Sequence, residues 1–393
     1  METLTIASLA AQVRGVSYKP EDLHGSLDDS SVILLRANNI DDGKINFDDV
    51  VFVDKKRVSN EQFLRKGDIL VCASSGSKNL VGKAASVDFD KEVTFGAFCK
   101  VVRPCNIEDA EYLAMFFQSP IYRRQIAATA IGANINNIRN EHIDTLSVKW
   151  PATVKRKVIV DILSKAEAII RKRKKQLSAL DDLIKARFVE MFGDPLNGTA
   201  KWPFHSVGDV AESVDPQPSH RTPPVDADGI PYVSIKDCDY KTGKINFDGA
   251  RKVSRSVLEE HRNRYSLHDG DFIIGKIGTI GNPIFVPARD DYTLSANIVL
   301  IQPKQGKVSP YYLMYSFMSA YMDRQFEEAK NSTSQAAFGI QKVRQIKVMN
   351  PELKEQYRFE EFARQIDKSK SAIQKSLDET QLLFDSLMQK YFG

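Results

Sequence analysis

The sequence predicts two tandem copies of one α/β (α+β) module, each followed by a long helix, with the two helices packed as an antiparallel coiled coil with pseudo-two-fold symmetry. Three observations support this prediction: an internal repeat at a fixed offset, short β-rich runs before a helix in each half, and two uninterrupted stretches with coiled-coil spacing. A chain of 393 residues has room for two modules that each bury a core.

The repeat has an offset of 200 residues. Gly43-Lys44-Ile45-Asn46-Phe47-Asp48 recurs letter for letter at residues 243–248. The same offset relates further pairs: Tyr112-Leu113 and Tyr312-Leu313, Arg124-Gln125 and Arg324-Gln325, Pro151 and Pro351, Phe192-Gly193 and Phe392-Gly393. A register kept over the whole chain predicts a duplicated fold. Residues 66–70 align with residues 269–273 only after a small shift, which favours a shared scaffold with different loops.

Each module is expected to combine short strands with a helix. Runs rich in β-formers, bounded by Gly, Asn and Asp, predict strands at Asp68 to Cys72, Val93 to Val102, Asp271 to Ile274 and Asn297 to Gln302. Helical spacing then predicts helices at about Ile107 to Ala128 and Ser309 to Ala329.

The two long helices are predicted from an apolar stripe without Pro or Gly. The first runs from about Thr153 to Phe192 and its stripe comprises Ile159, Ile162, Leu163, Ala166, Ile169, Ile170, Leu177, Leu180, Leu183, Ile184, Phe188 and Met191. The second stripe comprises Phe359, Phe362, Ala363, Ile366, Ile373, Leu377, Leu383, Phe384, Leu387 and Met388. A helix of this kind, about 60 Å long, needs a partner for its stripe, and the simplest partner is the other helix.

Charge is divided unequally between the helices. Residues 151–195 contain 11 Lys and Arg against 6 Asp and Glu, whereas residues 351–393 contain 7 against 8. The formal net charge of +4 therefore lies in the first helix, mainly in the basic run 171–175. A solvated face is favoured for most of these side chains, with Arg173 on the stripe as the exception. Because the modules are close to neutral, bulk charge gives no support to DNA binding.

Composition excludes several classes of protein. The sequence has no apolar run of membrane-spanning length and no secretion signal at its start, so a cytoplasmic location is expected. The four cysteines, Cys72, Cys99, Cys105 and Cys238, have neither disulfide nor zinc spacing and are interpreted as small buried hydrophobic residues. The six histidines are scattered and are interpreted as structural or surface residues.

Three catalytic look-alike motifs do not meet their chemical requirements. Residues 76–84 resemble a P-loop, but five residues separate the glycines where four are needed, and Ala84 replaces the Ser or Thr that binds magnesium. Residues 282–285 lack one residue of an Asn-Pro-Pro-aromatic motif and are interpreted as a turn that leads into a strand. Gly275, Gly278 and Gly281 lack dinucleotide-site spacing and predict a loop in close backbone contact.

The run KARFVEMFGDP at residues 185–195, which closes the first long helix, resembles the helical region of specificity subunits of type I restriction-modification enzymes. The resemblance covers the whole chain. It includes the order of module, helix, module, helix, the Gly67-Asp68 and Gly270-Asp271 motifs, and the Trp150-Pro151 and Asn350-Pro351 helix starts. One departure is the first helix start, which lacks the Glu-Gln pair that the second keeps as Glu355-Gln356.

This resemblance implies a non-catalytic subunit of a DNA adenine methyltransferase and restriction complex. Each module would be a target recognition domain for one half of a bipartite double-stranded DNA target, and the helices would fix the spacing and dock two methyltransferase subunits. Restriction subunits are optional further partners. S-adenosylmethionine is expected on the methyltransferase partners, with no cofactor or metal in this chain. The corresponding boundaries are 1–152 and 194–350 for the recognition domains and 153–193 and 351–393 for the helices.

Loop residues with donors and acceptors are the candidate DNA contacts, because base discrimination needs such groups at the groove edges. The candidates are Ser74, Ser75, Ser77, Lys78, Asn79, Asn134, Asn136, Asn137 and Arg139 in the first module, and Lys276, Thr279, Asn331, Ser332, Thr333, Ser334 and Gln335 in the second. For each residue the alternative is a polar turn that satisfies its own backbone.

Two other functions compete with DNA recognition. A coiled-coil scaffold that binds only protein is disfavoured by the loop-rich modules, and a fused methylation or restriction enzyme is disfavoured by the missing cofactor loops.

Overall fold

The computed structural model describes residues 2–76, 80–129, 137–217, 219, 221–240, 242–276, 281–331 and 339–393. The chain divides into two compact units, one formed by residues 1–174 with 375–393 and the other by residues 175–374. Each unit therefore contains one module together with one half of each long helix.

The first module is a set of small sheets with four short helices. Its strands are β1 (Glu2–Thr5), β2 (Ala10–Arg14), β3 (Leu23–His24), β4 (Ser31–Leu35), β5 (Ile40–Asp41), β6 (Lys44–Ile45), β7 (Val51–Asp54), β8 (Ile69–Cys72), β9 (Ala84–Ser86), β10 (Val93–Phe95), β11 (Cys99–Pro104) and β12 (Ser147–Trp150). Its helices are α1 (Ile6–Leu9), α2 (Ala110–Gln118), α3 (Pro120–Thr129) and α4 (Asn140–Asp144), and the first long helix follows as α5 (Thr153–Phe192).

The second module follows the same plan. Its strands are β13 (Phe204–Ser206), β14 (Ala211–Val214), β15 (Ile230–Val233), β16 (Cys238–Asp239), β17 (Lys244–Ile245), β18 (Arg251–Val253), β19 (Phe272–Gly275), β20 (Ile284–Phe285), β21 (Thr293–Leu294), β22 (Ile298–Pro303) and β23 (Lys347–Met349). Its helices are α6 (Val207–Val210), α7 (Arg255–Arg262), α8 (Pro310–Phe317), α9 (Ala320–Asn331) and α10 (Ile340–Gln345), and the second long helix follows as α11 (Leu353–Phe392).

Strand order is the same in the two modules. The central antiparallel sheet has the order β2-β11-β8-β9 in the first module and β14-β22-β19-β20 in the second. A second sheet, β10-β4-β7-β3, corresponds to β21-β15-β18, and each contains one parallel pair. The pairs β1-β12 and β5-β6 correspond to β13-β23 and β16-β17. The duplicated fold predicted from the repeat is therefore confirmed.

Equivalent hydrogen bonds explain why the repeat keeps certain residues. Tyr112 donates its hydroxyl to the Lys149 carbonyl at 2.8 Å, and Tyr312 donates to the Met349 carbonyl at 2.9 Å. The amide of Gln125 both donates to and accepts from the backbone of Ser147, at 2.8 and 2.9 Å. Gln325 makes the same two bonds to Lys347, both at 2.8 Å. These side chains tie the helices of each module to its edge strand.

The Gly-Asp motifs, Gly67-Asp68 and Gly270-Asp271, form a turn before strands β8 and β19, and each residue of the motif stabilises that turn. Gly67 and Gly270 have φ values of 91° and 92°, a region that favours glycine. The following carboxylate accepts from the backbone N–H three residues earlier, Asp68 from Arg65 at 2.9 Å and Asp271 from His268 at 2.8 Å. The motif therefore sets where strands β8 and β19 begin.

The long helices run antiparallel within each unit. In the first unit the beginning of α5 packs beside the end of α11, with Ile159 and Leu163 in one core with Met388 and Phe392. In the second unit the end of α5 packs beside the beginning of α11, with Phe188 in one core with Phe359 and other residues. The predicted pairing of the helices, and the extent of α5, are confirmed.

Three predicted stripe residues do not face the partner helix. Ile169, Leu183 and Leu383 are 47%, 45% and 55% exposed. Each is next to another stripe residue, and consecutive residues of an α-helix lie about 100° apart around its axis, so both cannot point to the same partner. The prediction was wrong at these positions and correct at their neighbours Ile170 and Ile184, which are buried.

Four other predictions need correction. The predicted strand Val93 to Val102 is two strands separated by a turn at residues 96–98. Each predicted module helix is two helices: the first breaks at Ser119, whose extended backbone is what a following proline favours, and the second breaks at residues 318–319. Cys72 and Cys99 are buried as predicted, but Cys238 is half-buried and Cys105 is exposed.

Replacing Phe359 by Ala tests the helix packing. Phe359 is fully buried, with ring centroids 5.3 Å from Phe188 and 5.4 Å from Tyr315. We expect the free energy of unfolding of the full chain to fall by about 3–5 kcal/mol, because the truncation leaves a cavity. Leu183→Ala, at a half-exposed position of the same unit, should cost less than about 1 kcal/mol. Urea unfolding followed by circular dichroism measures both, and equal losses would contradict this packing.

Candidate nucleic-acid interface

The described ends of two predicted loops of the first module meet at the end of strand β8. Ser74 pairs with Asn137 through an antiparallel bridge, and Ile138 donates its N–H to the Ala73 carbonyl at 2.7 Å. Asn137 is exposed and Ser74 is half-buried. The structure therefore brings together residues that are more than sixty positions apart in the sequence, at one edge of the module.

A third segment, which the sequence analysis missed, completes this edge. The N–H groups of Ala73 and Ser74 both donate to the carbonyl of Phe98, each at 2.9 Å. Phe98 lies on the turn between β10 and β11, and its side chain points away from the core, because the residue is 70% exposed. The turn was hidden inside a predicted strand, although Gly96 and Ala97 interrupt its β-rich pattern.

An open cavity of about 670 Å³ lies beside the same edge. Its lining includes Ser74, Ser75, Phe98, Tyr18 and Arg36. The guanidinium of Arg36 donates to the carboxylate of Asp49 at 2.8 Å, and this hydrogen bond holds the Arg36 side chain in position at the cavity. The cavity therefore combines an exposed aromatic ring, hydroxyl groups and a positioned cation.

Arg139 lies close to this edge but has local partners. Its backbone N–H bonds to the imidazole Nδ1 of His142 at 3.2 Å, and its guanidinium contacts Glu141 at 3.4 Å. Both contacts are at the start of helix α4. The side chain is exposed, so it stays able to reach a phosphate.

In the second module the corresponding edge carries a buried ion pair. Lys276 follows strand β19, is 3% exposed, and its amine lies 2.7 Å from the carboxylate of Asp215. The backbone N–H of Lys276 donates to the Asn297 carbonyl at 2.9 Å. The amine of Lys276 is held in this ion pair and would have to leave Asp215 in order to contact DNA.

A hydrogen-bond network continues from this ion pair. Gln217 donates its N–H to Asp215 at 3.2 Å, and its side chain accepts from the hydroxyl of Tyr232. Tyr232 in turn accepts from the N–H of Ala296 at 3.1 Å, next to Asn297. Burial raises the pKa of Tyr232, so the phenol stays protonated and can donate to Gln217. Sequence reasoning missed Asp215, Gln217 and Tyr232, because no local motif marks them.

Of the remaining predicted candidates, one lies at the end of a helix. Asn331 is the last residue of helix α9. The following candidates lie outside the described residues: Ser77, Lys78, Asn79, Asn134, Asn136, Thr279, Ser332, Thr333, Ser334 and Gln335.

Described residues of two of the three look-alike motifs belong to the strand framework, and the third includes Gly278, which lies outside the described residues. Gly82 donates its N–H to the Cys72 carbonyl at 2.8 Å, so Gly82 and Lys83 of the P-loop-like segment continue the β8-β9 pairing. Ile284 and Phe285 form β20, which confirms the predicted strand. Burial raises the pKa of Cys72 to about 11, so this thiol near the loop is neutral at physiological pH.

Metal-binding clusters and membrane-spanning helices are both absent from the residues that the structure describes. Within these ranges no group of His, Cys, Asp and Glu side chains is arranged to hold a metal ion. The helices among the same residues include none that is both long and apolar enough to cross a membrane.

Comparisons with known proteins identify similar sequences. The family model described as type I restriction modification DNA specificity domain matches residues 37–179 and 200–380. The chain is 30% identical over 284 residues to the type I restriction enzyme EcoKI specificity subunit of Escherichia coli strain K12, covering 68% of this chain and 59% of that protein. It is 30% identical over 284 residues to the StySPI specificity subunit of Salmonella potsdam, covering 70% and 61%. These alignments span about 60% of the length of the two curated relatives.

Solved structures show a similar fold. The crystal structure of the type I restriction-modification system S subunit from M. genitalium has a TM-score of 0.59 and 14% identity, and the match covers 100% of this chain and 96% of that one. A chain from a structure of complex assembly and conformational transition in a type I R-M system has a TM-score of 0.53 and 14% identity, with 100% and 97% covered. At this identity the likeness concerns the fold alone.

Lys276→Met tests whether the amine of Lys276 belongs to the ion pair. The variant leaves the carboxylate of Asp215, 17% exposed, without its cation, and we expect the free energy of unfolding to fall by about 3–5 kcal/mol. Lys370→Met is the matched control in the same unit. Its pair with Asp181 is more exposed, at 24% and 51%, and its loss should cost less than about 1 kcal/mol. Urea unfolding measures the free energy of unfolding of both variants. Equal losses in the two variants would instead indicate that the amine of Lys276 is not held in the ion pair and is available to DNA.

Proposed function

Since the chain belongs to the family of type I restriction modification DNA specificity domains, we propose that it is the DNA sequence-specificity subunit of a type I restriction-modification enzyme, without a catalytic centre of its own. Each module would read one half of a bipartite target in double-stranded DNA. The helices α5 and α11 would fix the distance between the half-targets and dock two methyltransferase subunits. Those partners would carry S-adenosylmethionine and methylate adenine, and restriction subunits would be optional.

The observation that carries this proposal is the repeated module edge. Strands β8 and β19 occupy the same place in two sheets of the same order, and each ends at that edge beside an equivalent turn, residues 96–98 and 296–297. The scaffolds agree, while the side chains at the edges differ: Phe98 in one module, Asn297 with the Lys276–Asp215 pair in the other. Two alike scaffolds with unlike edges suit two readers of different sequences.

Candidate DNA contacts remain part of this proposal. We assign groove or phosphate contacts to Ser74, Ser75, Asn137 and Arg139 in the first module, to Asn331 in the second, and to the predicted loop residues in the two modules that lie outside the described ranges. For Lys276 we propose that its ion pair with Asp215 supports the edge of the second module. Near-neutral modules would obtain part of their DNA affinity from the methyltransferase partners. The complex would act in the cytoplasm.

A coiled-coil scaffold that binds only protein is the second candidate. It is favoured by the long helices and by the near-neutral modules, and it requires no particular chemistry at the module edges. The two candidates differ in whether the modules determine which DNA sequence is methylated.

A module exchange separates the candidates. Residues 1–150 are replaced by those of a relative that has a different target and keeps a tyrosine at the position of Tyr112, so that the contact of this ring with Phe392 survives. The chain and its methyltransferase partner are expressed in a host, and methylated adenines are located by sequencing the host DNA. We expect one half of the methylated sequence to change, with the other half and the gap unchanged.

The reciprocal exchange of residues 194–350 is the control and should change only the other half. If both exchanged chains kept the original methylated sequence on both sides, the modules would not read DNA, and the scaffold would be favoured.

A further inference from the structure

We propose that Phe98 is a specificity-determining residue of the first module and that its ring contacts the C5-methyl group of a thymine in that module's half-target. The inference rests on the proposed function and adds the chemistry of one contact.

The ring of Phe98 is exposed although its turn is firmly anchored. The side chain belongs to a residue that is 70% exposed, whereas the next residue, Cys99, is fully buried. Cys99 donates its N–H to the Gly96 carbonyl at 2.8 Å, which closes the turn. Gly96 donates to Leu35 and Ala97 donates to Val16, each at 2.9 Å. A rigid turn therefore presents an aromatic ring to solvent, as a preorganised contact residue requires.

The position of Phe98 connects it with the candidate loops. Its carbonyl accepts from Ala73 and Ser74, and Ser74 pairs with Asn137. The ring also borders the cavity of about 670 Å³ that Ser75 lines. Any duplex that reaches the hydroxyl and amide groups of this edge therefore also meets the ring.

The chemistry of a phenyl ring selects one base edge. The ring offers neither a hydrogen-bond donor nor an acceptor, and thymine is the one base that displays an apolar group, its methyl, in the major groove. Adenine and guanine present the N7 acceptor there, which would lose its bond to water under the ring. A thymine is therefore the base that Phe98 favours.

The second module supports a role in specificity rather than in folding. The carbonyl of Asn297 accepts from Lys276 as that of Phe98 accepts from Ala73, so the two residues occupy equivalent positions on equivalent turns. An aromatic side chain and an amide side chain at one place in a repeated scaffold cannot make the same contact with a base. The scaffold tolerates either, because both turns are held by equivalent backbone hydrogen bonds; the side-chain oxygen of Asn297 also accepts from the hydroxyl of Ser295, a contact that a phenylalanine cannot make.

The test removes the methyl group and the ring separately. The full chain, assembled with its methyltransferase partner, is titrated with fluorescent duplexes that contain the methylated sequence found in the host. Each thymine of the first half-target is replaced in turn by deoxyuridine, which lacks only the C5-methyl group. We expect one such replacement to weaken binding by about 3- to 10-fold, the worth of a buried methyl contact. Phe98→Ala should weaken binding of the thymine duplex by a similar factor and bind the deoxyuridine duplex without further loss.

Asn297→Ala is the matched control on the equivalent turn. It should keep the full effect of deoxyuridine in the first half-target. The proposal is overturned if the wild-type complex binds every deoxyuridine duplex as tightly as the thymine duplex, or if Phe98→Ala weakens all duplexes equally, as loss of base stacking would. Absence of any sequence preference in host methylation would instead overturn the proposed function itself.

Discussion

The core of each module is completed by an aromatic ring from the end of a long helix. Phe192, the last residue of α5, packs in the second module with its ring centroid 4.7 Å from Tyr312. Phe392, the last residue of α11, packs in the first module 5.1 Å from Tyr112. Both phenylalanines are buried. Neither helix end can leave its module without opening a hydrophobic core, which costs several kcal/mol for a ring of this size.

This constraint explains what the repeat preserves. Tyr112 and Tyr312 each serve two purposes, since the ring packs against the helix end while the hydroxyl binds the edge strand that leads into a long helix. A change at either tyrosine would loosen both contacts. Among the residues that agree at the offset of 200, the two tyrosines and the two phenylalanines at the helix ends join a module to a long helix. The module edges that we propose to read bases carry different side chains.

Sequence reasoning could predict the elements with a strong periodic or repeated signal. The long helices, the duplicated strand order and the central strands β8 and β19 all follow from spacing or from the repeat. The predicted apolar stripe was wrong at Ile169, Leu183 and Leu383, because periodicity alone does not decide which of two adjacent apolar residues faces the partner helix.

The site was less predictable than the fold. Asn137 and Ser74 carry polar groups on loops and were candidates for that reason, but their pairing is a tertiary contact that no spacing reveals. Phe98 was missed because an apolar residue in a β-rich run is expected to be buried. For Lys276 the difficulty is the opposite one. A lysine beside glycines suggests a ligand contact, but the carboxylate that pairs with it lies 61 positions away in the sequence, so the sequence pattern does not reveal the ion pair.

The first helix start shows how a changed sequence can preserve a contact. In the second module Gln356 donates to the Pro351 carbonyl at 2.7 Å and accepts from the N–H of Ser309 at 2.8 Å. Arg156 takes this place in the first module, where it donates to the Pro151 carbonyl at 2.7 Å and pairs with Asp109 at 2.5 Å.

An arginine can replace the glutamine here because a carboxylate replaces the backbone N–H, so that both terminal nitrogens of the guanidinium meet acceptors, the Pro151 carbonyl and the Asp109 carboxylate. Its guanidinium also lies 4.2 Å from the ring centroid of Trp150, which adds a cation–π contact. The departure of the first helix start from the family pattern is therefore compensated within its own module. At the start of each long helix the proline carbonyl accepts a side-chain hydrogen bond, from Arg156 in one half and from Gln356 in the other. The hydrogen bond is therefore common to both halves, although the donor residue differs.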